Sequence, residues 1–167
     1  MNKKFIYESH PHLFLAIGGT AAILQVVLAI IFYRGTYSSI VNLGWVILWT
    51  AGFFGVIPII TFRQKGGVPK SESYMNTTVL VDSGVYSIVR HPQNGVAWVL
   101  INAGIMLIAQ HWIVVGAGVI SIVFGYLDLY KEEQRCIEKF GENYREYMEK
   151  VPRINVLQGI FRAIHRR

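Results

Sequence analysis

A chain of 167 residues that is 53% hydrophobic and only 16% charged, with mean hydropathy +0.39, departs from the roughly 25% charged residues of soluble domains and excludes an ordinary soluble fold. The formal net charge of +6 is not a nucleic-acid footprint, because the cations gather in short loops and a juxtamembrane tail, where they suit anionic lipid. A single cysteine, Cys136, excludes an intramolecular disulfide framework and a cysteine metal cluster.

Spanning a bilayer core takes about 20 apolar residues as a helix. Residues 13–32 supply a first such run, interrupted by nothing more polar than Thr20 and Gln25. It is too long for the apolar region of a secretory signal and has no small-residue cleavage site, so it reads as a retained anchor. His10, Pro11 and His12 just before it read as interfacial residues rather than metal ligands, and no metal site is expected. Residues 40–62 supply a second span. Spans at 93–109 and 112–130 follow, separated by Gln110 and His111, which allow only a tight hairpin. His111 reads as its cap. Four spans place the amino terminus, the 63–92 segment and the 131–167 tail on one side, with fifteen of the sixteen Lys and Arg residues; only Arg34 lies opposite. The positive-inside rule makes that side cytoplasmic.

The expected fold is therefore an all-α integral membrane protein, one domain over 1–167. Its cytoplasmic segments, 63–92 and 131–167, would form a pocket. Gly66, Gly67 and Pro69 break the second helix, and residues 77–81 read as a short extended run. The fourth helix should continue past Tyr130 into water, with Ile137, Phe140, Tyr144, Tyr147 and Met148 at helical spacing, a break at Gly141 and a stop before Pro152. Residues 155–167 mix Val156, Leu157, Ile160, Phe161 and Ile164 with Arg162, Arg166 and Arg167, as interfacial helices do.

Polar chemistry is concentrated in residues 83–95, SGVYSIVRHPQNG, and 131–153, KEEQRCIEKFGENYREYMEKVPR. Leaving Pro92, crossing about 30 Å of hydrocarbon at about 1.5 Å per residue and returning takes about 40 residues, so Glu132 should come back to the level of Pro92. His91, held extended by the following proline, should precede a helix whose first amides form an anion site beside Arg90. Taken alone, an RHP triplet is commonly a helix start with a snorkelling arginine, and paired glutamates are commonly a solvated turn. Tyr86, Glu132, Glu133 and Arg135 around the same level change that balance.

The ordered set SGVY, RHP, EE, FGENY, EY and VPR, over roughly residues 77–153, resembles the integral-membrane isoprenylcysteine carboxyl methyltransferase and phospholipid methyltransferase family. The resemblance implies a small helical bundle that binds S-adenosylmethionine on its cytoplasmic side. It implies cofactor contacts from Thr78, Val79, Leu80, Val81, Tyr86, His91, Pro92, Gln93, Asn94 and Glu132. A lipophilic or lipid-linked acceptor would enter from the membrane, with Arg90, Asp128 and Glu133 as candidates for work on it. Two positions depart from the family pattern: Asn94 stands where a tyrosine is usual, and Asp128 where the prenylcysteine enzymes carry an arginine near the substrate carboxylate. Asp128 would repel a carboxylate and favour a cationic or amine head group, unless it simply pairs with Lys131 or Arg135. Two other readings share parts of this pattern. One is an NADPH-dependent membrane sterol-type reductase, which Cys136 and the VPRI run would fit; the other is a non-catalytic lipid- or partner-binding protein of the same fold.

Overall fold

The computed structural model describes residues 12–67 and 77–165; the readings at His10, Pro11, Pro69, Arg166 and Arg167 lie outside them. Every regular element among these residues is helical: α1 (Leu13–Ile31), α2 (Ser38–Lys65), a 3-10 turn (Gly84–Ser87), a π-helical turn (Pro92–Ala97) running into α3 (Trp98–Ala109), α4 (Trp112–Phe140), α5 (Glu142–Lys150) and α6 (Val156–His165). Four stretches, Leu13–Ile31, Ser38–Lys65, Pro92–Ala109 and Trp112–Phe140, are long and apolar enough to cross a membrane. The chain is an all-α membrane protein. Residues 77–81 form no strand, although Thr78 and Val79 both donate their amides to the Gly66 carbonyl, at 3.0 and 3.4 Å.

The chain divides into two compact units, Met1–Ala51 with Trp98–Glu133, and Gly52–Ala97 with Gln134–Arg167. Helices α2 and α4 each contribute to both.

The first unit is packed as membrane helices must be, with small residues letting backbones approach where lipid gives no hydrophobic drive for association. At the crossing of α2 and α3, a Cβ on Gly44 would stand 2.9 Å from the Gly104 carbonyl oxygen, and one on Gly104 would stand 2.8 Å from Leu48. Polar side chains are buried there with definite roles. Gln25 donates to the Asn102 carbonyl at 3.0 Å, Asn102 donates to the Trp98 carbonyl at 2.8 Å, and the Trp98 indole donates to the Ser121 carbonyl at 3.1 Å. One chain of bonds thus ties α1, α3 and α4. The 110–111 hairpin is tight, with Gln110 at positive φ, and the Gln110 amide exchanges two hydrogen bonds with the Tyr37 backbone, at 3.0 and 2.9 Å. His111 does not hang free beyond it. It is buried, stacks on Phe32 and Trp112, and turns Nδ1 toward the Ile113 amide.

The second unit begins with the last turns of α2, where buried Pro58 interrupts the helical bonds and Thr61 returns a hydroxyl bond to the Ile57 carbonyl at 2.9 Å. Phe54, Ile57 and Phe62 pack there against Val81, Val85 and Tyr86. Helix α4 runs unbroken to Phe140, and Gly141 at φ +60° makes the break before α5 that its sequence position predicts. Tyr144, Tyr147 and Val151 then bury against Leu80, Cys136, Ile137, Phe140 and Met148.

Candidate functional site

Most candidate residues of the sequence fall in the second unit. Its local order follows from simple rules. Gly84 takes a φ of +67° that a side chain would resist, opening the 3-10 turn that points Val85 and Tyr86 inward. The Tyr86 ring stacks on Phe62 with centroids 4.7 Å apart. Leu80 and Val81, adjacent in the chain, serve two different clusters: Leu80 packs with Tyr144 and Tyr147, and Val81 with Tyr86. Thr78 and Val79 stay exposed, the Thr78 hydroxyl reaching the Gly67 carbonyl at 3.4 Å.

The two polar motifs meet through their backbones. The Arg90 amide donates to the Pro152 carbonyl at 3.0 Å and the His91 amide donates to the Arg153 carbonyl at 3.1 Å. RHP and VPR are therefore one structural feature, two irregular segments joined by a pair of backbone hydrogen bonds immediately before a helix. A third tie lies one turn upstream, where the Tyr147 hydroxyl donates to the Tyr86 carbonyl at 2.6 Å. Gly159 of α6 completes the frame, because any Cβ there would run into the Ile88 carbonyl.

Held this way, His91 is buried and its carbonyl accepts from both Gly95, at 3.1 Å, and Val96, at 3.0 Å. That shared acceptor defines the π-helical turn. Such turns are uncommon and frequent at functional sites, because they widen the backbone and re-aim the amides. Pro92 carries no N–H, and the Gln93 and Asn94 amides precede the first bond of the turn, as helix-opening amides do. Pro92 is buried, Gln93 half-buried and Asn94 exposed. Here a partial positive charge and free-pointing amides suit a carboxylate or phosphate.

Tyr147 makes the shortest of these hydrogen bonds and keeps its proton. Burial pushes its phenol well above the usual value near 10; Tyr86 acts in the same direction, the Arg90 guanidinium opposes, and Asp82 and Cys136 add to the rise. It is a neutral donor at any physiological pH, suited to holding the Tyr86 carbonyl and unsuited to acting as a base. The sequence reading gave Tyr147 no role in the site. Its only signal there was the Tyr144 and Tyr147 spacing within the FGENY and EY motifs.

Asp128, Glu132 and Glu133 belong to the first unit, on α4. Glu133 is buried, Glu132 half-buried, and Asp128 half-buried with its Oδ1 shielded from solvent and without a hydrogen-bond partner among the described residues. Lys131, on the same turn, sets its ammonium 4.5 Å from the centroid of the Phe14 ring. No group of three or more His, Cys, Asp or Glu side chains able to hold a metal ion is present among the described residues.

The fold and this frame define a helical membrane protein with a backbone-zipped motif at a helix start. No family model matches the chain. No solved structure matches it either. Among curated proteins it is similar to one from Xenopus laevis named protein-S-isoprenylcysteine O-methyltransferase, 40% identical over 84 residues. The match covers 50% of this chain and 27% of the relative's length, so the chain spans about a quarter of the protein it resembles.

Proposed function

We propose that the protein is an integral-membrane methyltransferase that uses S-adenosylmethionine to methylate a lipid-like or lipid-linked acceptor at the cytoplasmic membrane boundary, with both termini cytoplasmic. The observation that carries this reading is the match over half of the chain to a protein named for methyl transfer. The donor set is compatible with the cofactor. Its methionine part carries a carboxylate and an ammonium, and the helix start at Gln93 and Asn94 offers backbone donors for the first. Glu132 enters from the family resemblance as the carboxylate for the second, and Tyr86, His91 and residues 78–81 as the enclosing wall. When bound, S-adenosylmethionine supplies a methyl group already activated on a sulfonium. The protein's own task is then alignment and exclusion of water, which needs no dedicated nucleophile.

Asp128 supports a reading of the acceptor class. A carboxylate oxygen buried without a donor costs several kcal/mol, on the order of 1–3 or more, and a substrate that brings a donor relieves that cost. We take the acceptor to carry an amine or another cationic head group, with Asp128 orienting it and Glu133 or Arg90 as further candidates for proton transfer or positioning.

Calorimetric titration of the purified full chain in detergent with S-adenosylmethionine, S-adenosylhomocysteine and NADPH tests the first claim. Binding of the two adenosyl ligands is expected, with loss in Glu132→Ala. Binding of NADPH alone would overturn the methyltransferase reading in favour of a reductase, and binding of none would favour a non-catalytic protein. For the acceptor, labelled methyl transfer to lipid amines and to a prenylcysteine analogue is compared in wild type and Asp128→Asn. An unchanged preference in the variant refutes the role given to Asp128.

A further inference from the structure

The last helix presents its apolar face outward. Leu157, Ile160, Phe161 and Ile164 stand at i, i+3, i+4 and i+7, one face of a helix, and are 81%, 41%, 63% and 65% exposed. That orientation is locked. On the opposite face Gly159 lies against the Ile88 carbonyl and Arg162 Nη1 donates to the Glu149 carbonyl at 3.2 Å. The helix cannot roll inward without breaking these contacts.

Beside the apolar face is a shallow cavity of about 380 Å³ lined by Glu149, Lys150, Phe161, Arg162 and His165. Three of the five are basic side chains; Glu149 adds one carboxylate, and the exposed Lys150 ammonium pairs with Glu146 at 3.5 Å, a surface contact that an incoming phosphate would compete with. His165 Nδ1 lies 2.8 Å from the Phe161 carbonyl, which can only accept, so that nitrogen is the donor of the pair and Nε2 can donate to an anion only when the ring is the imidazolium. Glu149 lends its carbonyl to Arg162, leaving the other guanidinium nitrogens for an outside acceptor.

The same unit is bounded by lipid-type surface, since the last turns of α2 within it expose Phe53, Val56 and Ile60 on an apolar span. A helix of 10 residues is about 15 Å long and cannot cross about 30 Å of hydrocarbon, so any contact it makes with lipid is along the interface. We propose that α6 is an interfacial helix that seats Leu157, Phe161 and Ile164 in the acyl region, and that the groove of Lys150, Arg162 and His165 binds the phosphate of an anionic phospholipid. The pairing of an apolar face with an adjoining basic groove is what selects an anionic lipid over a second copy of the chain. The inference stands independently of the methyl-transfer reading.

The test uses the full chain with Cys136→Ser, spin-labelled at Leu157→Cys or Ile164→Cys, in nanodiscs of phosphatidylcholine alone and of phosphatidylcholine with phosphatidylglycerol. Both labels should be more accessible to oxygen than to a water-soluble nickel chelate, more strongly so with phosphatidylglycerol. Phosphatidylglycerol co-purifying from mixed membranes should fall about fivefold for each cation removed in Lys150→Gln and Arg162→Gln. Because Arg162 also ties α6 to α5, Lys150→Gln is the variant whose fold is not at issue. Labels equally open to the chelate in both lipids would overturn the interfacial placement, and spin–spin broadening with low access to both probes would assign the face to a second copy. Unchanged phosphatidylglycerol retention in both variants would overturn the phosphate site.

Discussion

Replacing Tyr147 with phenylalanine isolates the bond that ties α5 to the Tyr86 turn. The ring, its contact with Tyr144 at 5.7 Å between centroids and its packing in the cluster stay, while the 2.6 Å donation to the Tyr86 carbonyl is lost. Removing a buried donor and leaving its acceptor without that bond costs about 1–3 kcal/mol. Reversible denaturation of the full chain in detergent, followed by circular dichroism, reads this directly. A loss below about 0.5 kcal/mol would refute the bond's place in the frame. The pH dependence gives a second check. The folded-state phenol titrates above its unfolded value, so the folded chain keeps a proton that the unfolded chain releases. Its contribution is fully present below about pH 10 and declines above it, by up to about 1.4 kcal/mol per pH unit. The difference between wild type and Tyr147→Phe should therefore be flat through neutral pH and shrink above about pH 10. A difference that stays constant into the alkaline range would refute the argument from burial.

Three further substitutions probe the rest of the frame. Gly159→Ala sets a Cβ against the Ile88 carbonyl and must displace α6 or the segment leading to His91, with an expected loss of about 1–3 kcal/mol by the same denaturation assay and weaker adenosyl-ligand binding. Gly104→Leu forces α2 and α3 apart at their closest approach; it should lower the thermal midpoint in detergent more than Gly116→Leu, a position with open space around it. Gln25→Met keeps the volume of a fully buried side chain but deletes its 3.0 Å donation to the Asn102 carbonyl; it should lower the thermal midpoint modestly, and Gln25→Ala, which loses the bond and also leaves a cavity, should lower it further.

The sequence already announced the helices and several of their ends. Pro92 opens the third span and Gly141 breaks the fourth helix, because a fixed φ and a missing Cβ act locally wherever they occur. The fourth helix also runs past the membrane span as its apolar spacing indicates. Other features were not legible. The π-helical turn depends on one carbonyl being shared by Gly95 and Val96, which no residue type specifies. Tyr144 and Tyr147 read as an amphipathic face, and only their packing shows that one of them is a buried donor to a distant carbonyl.

What the chain determines by itself is therefore what short-range physics controls: that it is a helical membrane protein, how many helices can cross a bilayer, and where polar motifs interrupt them. Apolar length and local backbone restriction are properties of contiguous residues. The tertiary structure alone decides that RHP is zipped to VPR, that Tyr147 anchors the Tyr86 turn, and that α6 turns its apolar face outward. Those outcomes join residues about 60 to 70 positions apart through backbone groups and a missing Cβ, which every sequence carries and none advertises.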